Sequence, residues 1–411
     1  MHIPELILPA GDLEKLKTAL LFGADAVYAG GKDFNLRAFA GNLTRAEMDS
    51  GLAYAHERGK KVYITVNILA HNRDIDKLPP YLEELQQIKV DGLIISDPGV
   101  MRLASKYAAD IPITVSTQAN VSNYESAALY RELGASRIVL ARELSLDEVV
   151  VIKKRVEIEL EMFVHGAMCV SYSGRCLLSH YMTGRSANLG ACAQPCRYQY
   201  SVVEEKRPGQ YYRIEEDERG SYIFNSRDLC LLEYIPQLID AGIDAFKIEG
   251  RMKSPLYVAA LARVYRQALD HYRSNHCSYS DEDVQVWMNE LQAVATRPFT
   301  NGFMVGESAN IQDIDKQEMT GRSDFCGIVK EYHPDQGVIE VEQRANFGPG
   351  DPLQFMLPNG DIVDLNLVNL FDGDGNSLDR ARHPRQRVFI PGQAVVPEYS
   401  ILRRLGKANE E

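Results

Sequence analysis

The chain has 411 residues, 45% hydrophobic and 25% charged, with a formal net charge of -12. The acidic balance excludes an all-over nucleic-acid binder but leaves room for a local basic patch. No apolar stretch approaches the roughly 20 residues that cross a bilayer, and seven cysteines, an odd number, do not read as a disulfide framework. The start, MHIPELILPAGD, lacks the basic region and apolar core of a signal peptide, so a cytoplasmic protein without membrane contact is expected.

In chain order, eight short apolar or β-branched runs recur. They are ELILPAGD near the start, FGADAVYAGG (Phe22–Gly31), KVYITVN (Lys61–Asn67), KVDGLIISD (Lys89–Asp97), ITVSTQAN (Ile113–Asn120), LGASRIVLAR (Leu133–Arg142), ELEMFVHG (Glu159–Gly166) and AGIDAFKIEGR (Ala241–Arg251). Amphipathic stretches such as Leu13–Leu21, Arg45–Glu57, Leu78–Gln87 and Leu146–Arg155 separate most of them. Alternating strands and helices imply a parallel sheet sheathed by helices, and eight units favour a (β/α)8 TIM-type barrel over an open Rossmann-like sheet. The expected barrel domain spans residues 1–300. A long cysteine-bearing insertion, 167–243, precedes the last strand and contains a polar hairpin-like stretch beginning YYRIEEDERG. Connections of that length usually carry function. From Phe325 the runs shorten (CGIVKEY, GVIEVEQ, FGPGDPLQFML, NGDIVDLNLV, RVFIPG, AVVPE) between Gly, Pro and Asn/Asp turns, so residues 320–400 read as a small C-terminal β-barrel and a candidate RNA-docking surface.

Cys169, Cys176, Cys192 and Cys196 follow one another as C-x6-C-x15-C-x3-C. Four thiolates suit zinc or an iron–sulfur cluster. The second pair fits a zinc knuckle and the first does not, so spacing favours a cluster, with zinc as the lesser alternative. Cys230 is a substitute ligand; Cys277 and Cys326 read as packing residues. No acidic residue lies between Glu161 and Glu204, whereas Arg175, Arg185 and Arg197 do, which makes a basic island around the thiols.

Asn67, Asp97, Gln118, Arg142, His165 and Glu249 fall at strand C-termini, where side chains enter a barrel's mouth. His165, Glu249 and Asp97 are the candidate catalytic groups. Asn67, Gln118, Arg142, Lys247, Arg251 and Lys253 are candidate substrate ligands, with Arg142, Arg251 and Lys253 forming a clamp for a dicarboxylate. P-loop, G-x-G-x-x-G, H-E-x-x-H, G-x-S-x-G and radical-SAM cysteine patterns are all missing from the sequence.

The string Glu161-x-Phe163-x-x-Gly166-Ala167-x-Cys169-x4-Gly174-x-Cys176-x-x-Ser179 resembles the signature of the collagenase-like peptidase family of unassigned catalytic type. The likeness extends over the whole chain, through STQANVSN, IVLARELSLDEV and FKIEGRMKSPLYVA. Within that family the chain is similar to the prephenate-dependent tRNA uridine hydroxylases. The resemblance implies a 4Fe–4S cluster on the four clustered cysteines and hydroxylation of the wobble uridine of tRNA, with prephenate as co-substrate. Relatives hydroxylate a ribosomal RNA cytidine or a quinone precursor, and a paralogous second subunit or a homo-oligomer is within the family's range. The alternative is the peptidase activity of the family label, with Asp97 and Glu249 as an aspartic-type pair.

Overall fold

The computed structural model describes residues 2–35, 41–168, 227–275, 279–306, 323–392 and 396–406, with short stretches at 178–183, 185, 193, 195, 201–203 and 211–213. Runs buried on both faces become strands in a parallel sheet, which leaves neither face to water. The strands are β1 (Glu5–Ala10), β2 (Ala26–Gly30), β3 (Lys61–Val66), β4 (Gly92–Ile95), β5 (Ile113–Val115), β6 (Arg137–Val139), β7 (Glu159–Ala167) and β8 (Ala245–Ile248). Each lies within one of the eight expected runs, save that β7 runs one residue past its own, to Ala167. Neighbours pair in parallel from β1 to β7, and β8 pairs with both β7 and β1, which closes the ring. The expected eight-stranded TIM-type barrel is therefore the fold.

Local chemistry fixes where the intervening helices start. Thr44 and Ser145 form capping boxes with Glu47 and Glu148 ahead of the helices Arg45–His56 and Leu146–Arg155. Helix Leu78–Ile88 ends on Lys89, whose left-handed φ of 58° terminates the ladder.

Two departures from regularity shape the barrel's C-terminal end. The β7–β8 register shifts between Lys247 and Ile248, a bulge that re-aims the residues after it. Beside it, Gly166 has φ +105°, and a Cβ there would lie 2.6 Å from the Glu249 carbonyl oxygen. Only glycine lets the two strand ends approach this closely.

Within the insertion, helix Leu178–Thr183 and an antiparallel strand pair, Ser201–Val203 with Tyr211–Arg213, are described. Tyr211–Arg213 opens the expected YYRIEEDERG stretch, whose following residues 214–226 lie outside the described residues. A short strand, Asp228–Cys230, runs antiparallel to the end of β7 and parallel to Phe299–Thr300, extending the sheet beyond the ring.

Residues 1–13, 26–252 and 297–318 form one compact unit, and residues 14–25, 253–296 and 319–411 form a second. The second contains the helices Pro255–Asn275 and Asp281–Val294 and a six-stranded antiparallel sheet. Its strands are β9 (Ser323–His333), β10 (Val338–Gln343), β11 (Leu353–Met356), β12 (Ile362–Leu365), β13 (Arg387–Pro391) and β14 (Ile401–Leu405), in the order β12-β11-β14-β9-β10-β13. The all-β expectation holds, with ILRRL as a further strand; of the expected run AVVPE, residues 394 and 395 lie outside the described residues. Arg403 can sit in a central strand because Glu290 and Gln354 satisfy its guanidinium at 2.8 and 2.9 Å.

Candidate active site at the barrel mouth

Side chains alternate along a strand, so Glu161 and Phe163 of β7 point into the barrel, as do Ala245 and Lys247 opposite them on β8. TIM-barrel interiors are normally filled by branched aliphatic residues. Here Ile7, Ala26, Tyr28, Tyr63, Ile94 and Ala245 form an apolar cluster, and a chain of buried charges passes beside it. Lys247 Nζ donates to Glu161 Oε1 at 2.6 Å and lies 4.2 Å from the centroid of the Tyr28 ring. The second Glu161 oxygen is 3.5 Å from Arg137 Nη1, which also donates to Glu5 Oε2 at 2.7 Å. Arg137 Nε donates to Glu159, and Tyr63 donates to Glu5 at 2.8 Å.

This pairing lets ionised groups stay ionised out of water. Burial alone would raise the Glu5 carboxyl, but Arg137, Tyr63 and Lys61 outweigh it and hold it below the usual carboxylate range. Burial would lower Arg137, yet Glu161 and Glu5 hold it above the ordinary guanidinium value. Burial, then the Glu5 charge, pushes the Tyr63 phenol upward. Because the folded value of Glu5 is depressed, its stabilisation is full above the unfolded Glu value, about 4.3, and is lost as pH falls through the folded value. Glu5→Gln is accordingly expected to lose about 2 kcal/mol at neutral pH and progressively less in acid, read from urea midpoints across pH 3 to 7.

Above this chain, at the C-terminal ends of the strands, lies the mouth. Arg142, three residues beyond β6, sets its guanidinium carbon 3.8 Å from the centroid of the Phe163 ring. Its nearest carboxylate is Glu249, with Nη2 and Oε2 3.9 Å apart and each side chain 13% exposed. The Tyr28 hydroxyl lies 3.2 Å from the same Glu249 oxygen and 3.1 Å from the Ile248 carbonyl. On the neighbouring arc, Asn67 Nδ2 donates to Gln118 Oε1 at 3.0 Å. His165 is buried, with its ring edge-on to Phe299 at 5.2 Å, and stands across the ladder from Cys230.

Other expected residues are engaged elsewhere. Asp97 caps helix Pro98–Tyr107, accepting from the Val100 amide at 3.0 Å, so the structure gives its carboxylate a local helix-start role. Arg251 is buried and donates to Asn42 Oδ1 at 2.6 Å, with Asn35 at 3.5 Å. Lys253 belongs to the second unit and donates to Thr296 at 2.6 Å. Within the first unit the structure brings Arg142 and Glu249 together. Sequence reading passed over Tyr28, Glu5, Arg137 and the roles of Glu161 and Phe163. A usable signal was charge within otherwise apolar strands: Glu159 and Glu161 at alternate positions of β7, and Lys247 in β8.

The expected metal ligands Cys169, Cys176, Cys192 and Cys196, with Cys277, lie outside the described residues. Cys230 is half-buried and Cys326 fully buried. Burial pushes the Cys326 thiol up to about 12, as suits a packing residue. Glu331, His333 and Glu340 also place ligand atoms within 4.8 Å of one another. Arg387 already binds Glu340, and His333 sits 3.1 Å from it, so this cluster reads as a satisfied ion-pair group. Among the described residues no helix is long and apolar enough to cross a membrane.

A closed parallel barrel defines a TIM-barrel protein, and polar groups of this one converge on the C-terminal mouth, the end where such enzymes carry their sites. The chain belongs to peptidase family U32: the family model matches residues 11–313, and the model of the family's C-terminal domain matches residues 321–403. It is 39% identical over 406 residues to "tRNA hydroxylation protein P1" of Bacillus subtilis, covering 98% of this chain and 95% of the relative. It is 33% identical over 450 residues to "tRNA hydroxylation protein P" of Escherichia coli, covering 98% and 97% of the two chains. The "Collagenase" of Porphyromonas gingivalis is 34% identical over 420 residues, covering 99% of each.

Proposed function

We propose that this chain hydroxylates the wobble uridine of tRNA, using prephenate as co-substrate and a 4Fe–4S cluster held by Cys169, Cys176, Cys192 and Cys196. The observation that carries the reading is Arg142, a guanidinium mostly withdrawn from water at a barrel mouth and in cation–π contact with Phe163. Among the described residues it makes no hydrogen bond. Such a group suits a carboxylate of the co-substrate. The names of the Bacillus and Escherichia relatives support tRNA as the partner.

Four thiols in one segment are the donor set that a 4Fe–4S cluster takes, and β7 ends at Ala167, two residues before the first of them. A cluster there would supply one-electron transfer. The chain's own residues do the remaining work. Arg142 orients the co-substrate through a carboxylate. Tyr28, hydrogen-bonded to Glu249, holds that carboxyl at the mouth, where it can exchange a proton with bound substrate. The acid-free segment with Arg175, Arg185 and Arg197 meets RNA phosphates. Tyr181, 86% exposed, offers a face for a splayed base.

The Porphyromonas relative and the family label favour a second reading, peptide hydrolysis. Against an aspartic-type pair, Asp97 is engaged as a helix cap. Mass spectrometry of tRNA nucleosides from cells lacking the gene separates the two. The hydroxylase reading expects the hydroxylated wobble uridine to vanish and to return with the wild-type gene. Unchanged nucleosides, together with gelatin cleavage that survives Cys192→Ala, would establish the peptidase instead.

A further inference from the structure

We infer that Phe163 is the positioning residue of a carboxylate receptor at the barrel mouth, holding Arg142 so that its in-plane N–H fork faces a small carboxylate ligand. This inference rests on the hydroxylase reading and deepens it, because it locates the co-substrate's subsite. Three observations support it. Phe163 is buried, faces inward on β7, and carries the Arg142 guanidinium carbon 3.8 Å from its ring centroid. A cation–π contact of this kind occupies no N–H donor, so the guanidinium keeps its donors for a bidentate acceptor. The nearest carboxylate oxygen, on Glu249, is 3.9 Å away, beyond hydrogen-bond reach, and lies 3.2 Å from the Tyr28 hydroxyl.

Arg251, by contrast, is buried and already donates to Asn42. At 13% exposure, Arg142 suits a small carboxylate that enters the mouth better than a phosphate on a polymer backbone.

The test uses full-length protein purified anaerobically and titrated calorimetrically with prephenate, with thermal midpoints recorded for every variant. Phe163→Leu removes the aromatic face and is expected to weaken prephenate binding about 5- to 30-fold. It should also raise the prephenate KM in tRNA hydroxylation more than it lowers kcat. Phe163→Tyr restores the face and should bind within about twofold of wild type. Arg142→Lys keeps the charge, loses the fork and should bind as weakly as Phe163→Leu. It decides the matter should the leucine variant fail to fold. Wild-type affinity in folded Phe163→Leu, or in Arg142→Lys, overturns the inference while prephenate-driven hydroxylation by wild type leaves the function standing. Should wild type bind no prephenate and Arg142→Lys weaken tRNA binding instead, the receptor holds an RNA phosphate and the inference is overturned. Hydroxylation by wild type that ignores prephenate overturns the functional reading itself.

Discussion

Cys196→Ala is expected to strip the protein of iron and sulfide and to abolish uridine hydroxylation. A cubane held by four thiolates that loses one ligand leaves an iron corner open to solvent and oxidants, so the whole cluster is lost rather than a quarter of it. Anaerobically purified wild type should contain about four irons and four sulfides per chain, with a broad visible absorption that bleaches on reduction. Cys230→Ala is the informative companion. Cys230 sits on the short strand opposite His165 and is half-buried, close in the fold to the end of β7. If all four cluster ligands come from the 169–196 segment, Cys230→Ala keeps its iron. Retained iron in Cys196→Ala with loss in Cys230→Ala would exchange the two in the ligand set. A single zinc in wild type would remove the cluster from the account.

The second large effect lies below the mouth. Lys247→Met is expected to destabilise the protein by about 3–5 kcal/mol, because it leaves the fully buried Glu161 without its 2.6 Å partner. Arg137, 3.5 Å from the other Glu161 oxygen, already serves Glu5 and Glu159 and compensates only in part. Removing both charges, as in Lys247→Met with Glu161→Leu, should recover much of the loss, since a buried ion pair replaced by apolar groups is often near neutral. Urea denaturation followed by far-UV circular dichroism reads both variants. A single variant as stable as wild type would mean that the Lys247–Glu161 contact is not a buried pair in solution.

The barrel was legible because the strands fall in short apolar or β-branched runs, most of them bounded by Gly, Asn or Asp, and because helix starts carry their own capping chemistry. Thr44 with Glu47 and Ser145 with Glu148 can be read directly from sequence. The C-terminal sheet was legible except for β14, where Arg403 and Arg404 disguise a central strand whose buried guanidinium is satisfied by residues distant in sequence. Which charged residues face inward was harder to read. Lys247 and Arg137 look like rim cations when taken singly; pairing with Glu161 and Glu5 depends on the register of β7, β8 and β1. Arg142 and Glu249 were legible as mouth residues from their position after a strand. Phe163, an apolar residue in an apolar strand, carried no sign that a cation lies on its face. Asp97 had the opposite problem: a carboxylate after a strand is also what a helix start requires, and Pro98 at the next position pointed to that use.

The most direct measurement of the central claim is a reconstituted reaction. Anaerobically purified protein, tRNA from the deletion strain and prephenate are incubated together, and the tRNA nucleosides are then resolved by mass spectrometry. The account predicts that the wobble uridine gains one oxygen in the presence of prephenate and gains none when prephenate is omitted or Cys196→Ala replaces wild type. Unmodified uridine from iron-replete wild-type protein with prephenate present would contradict it.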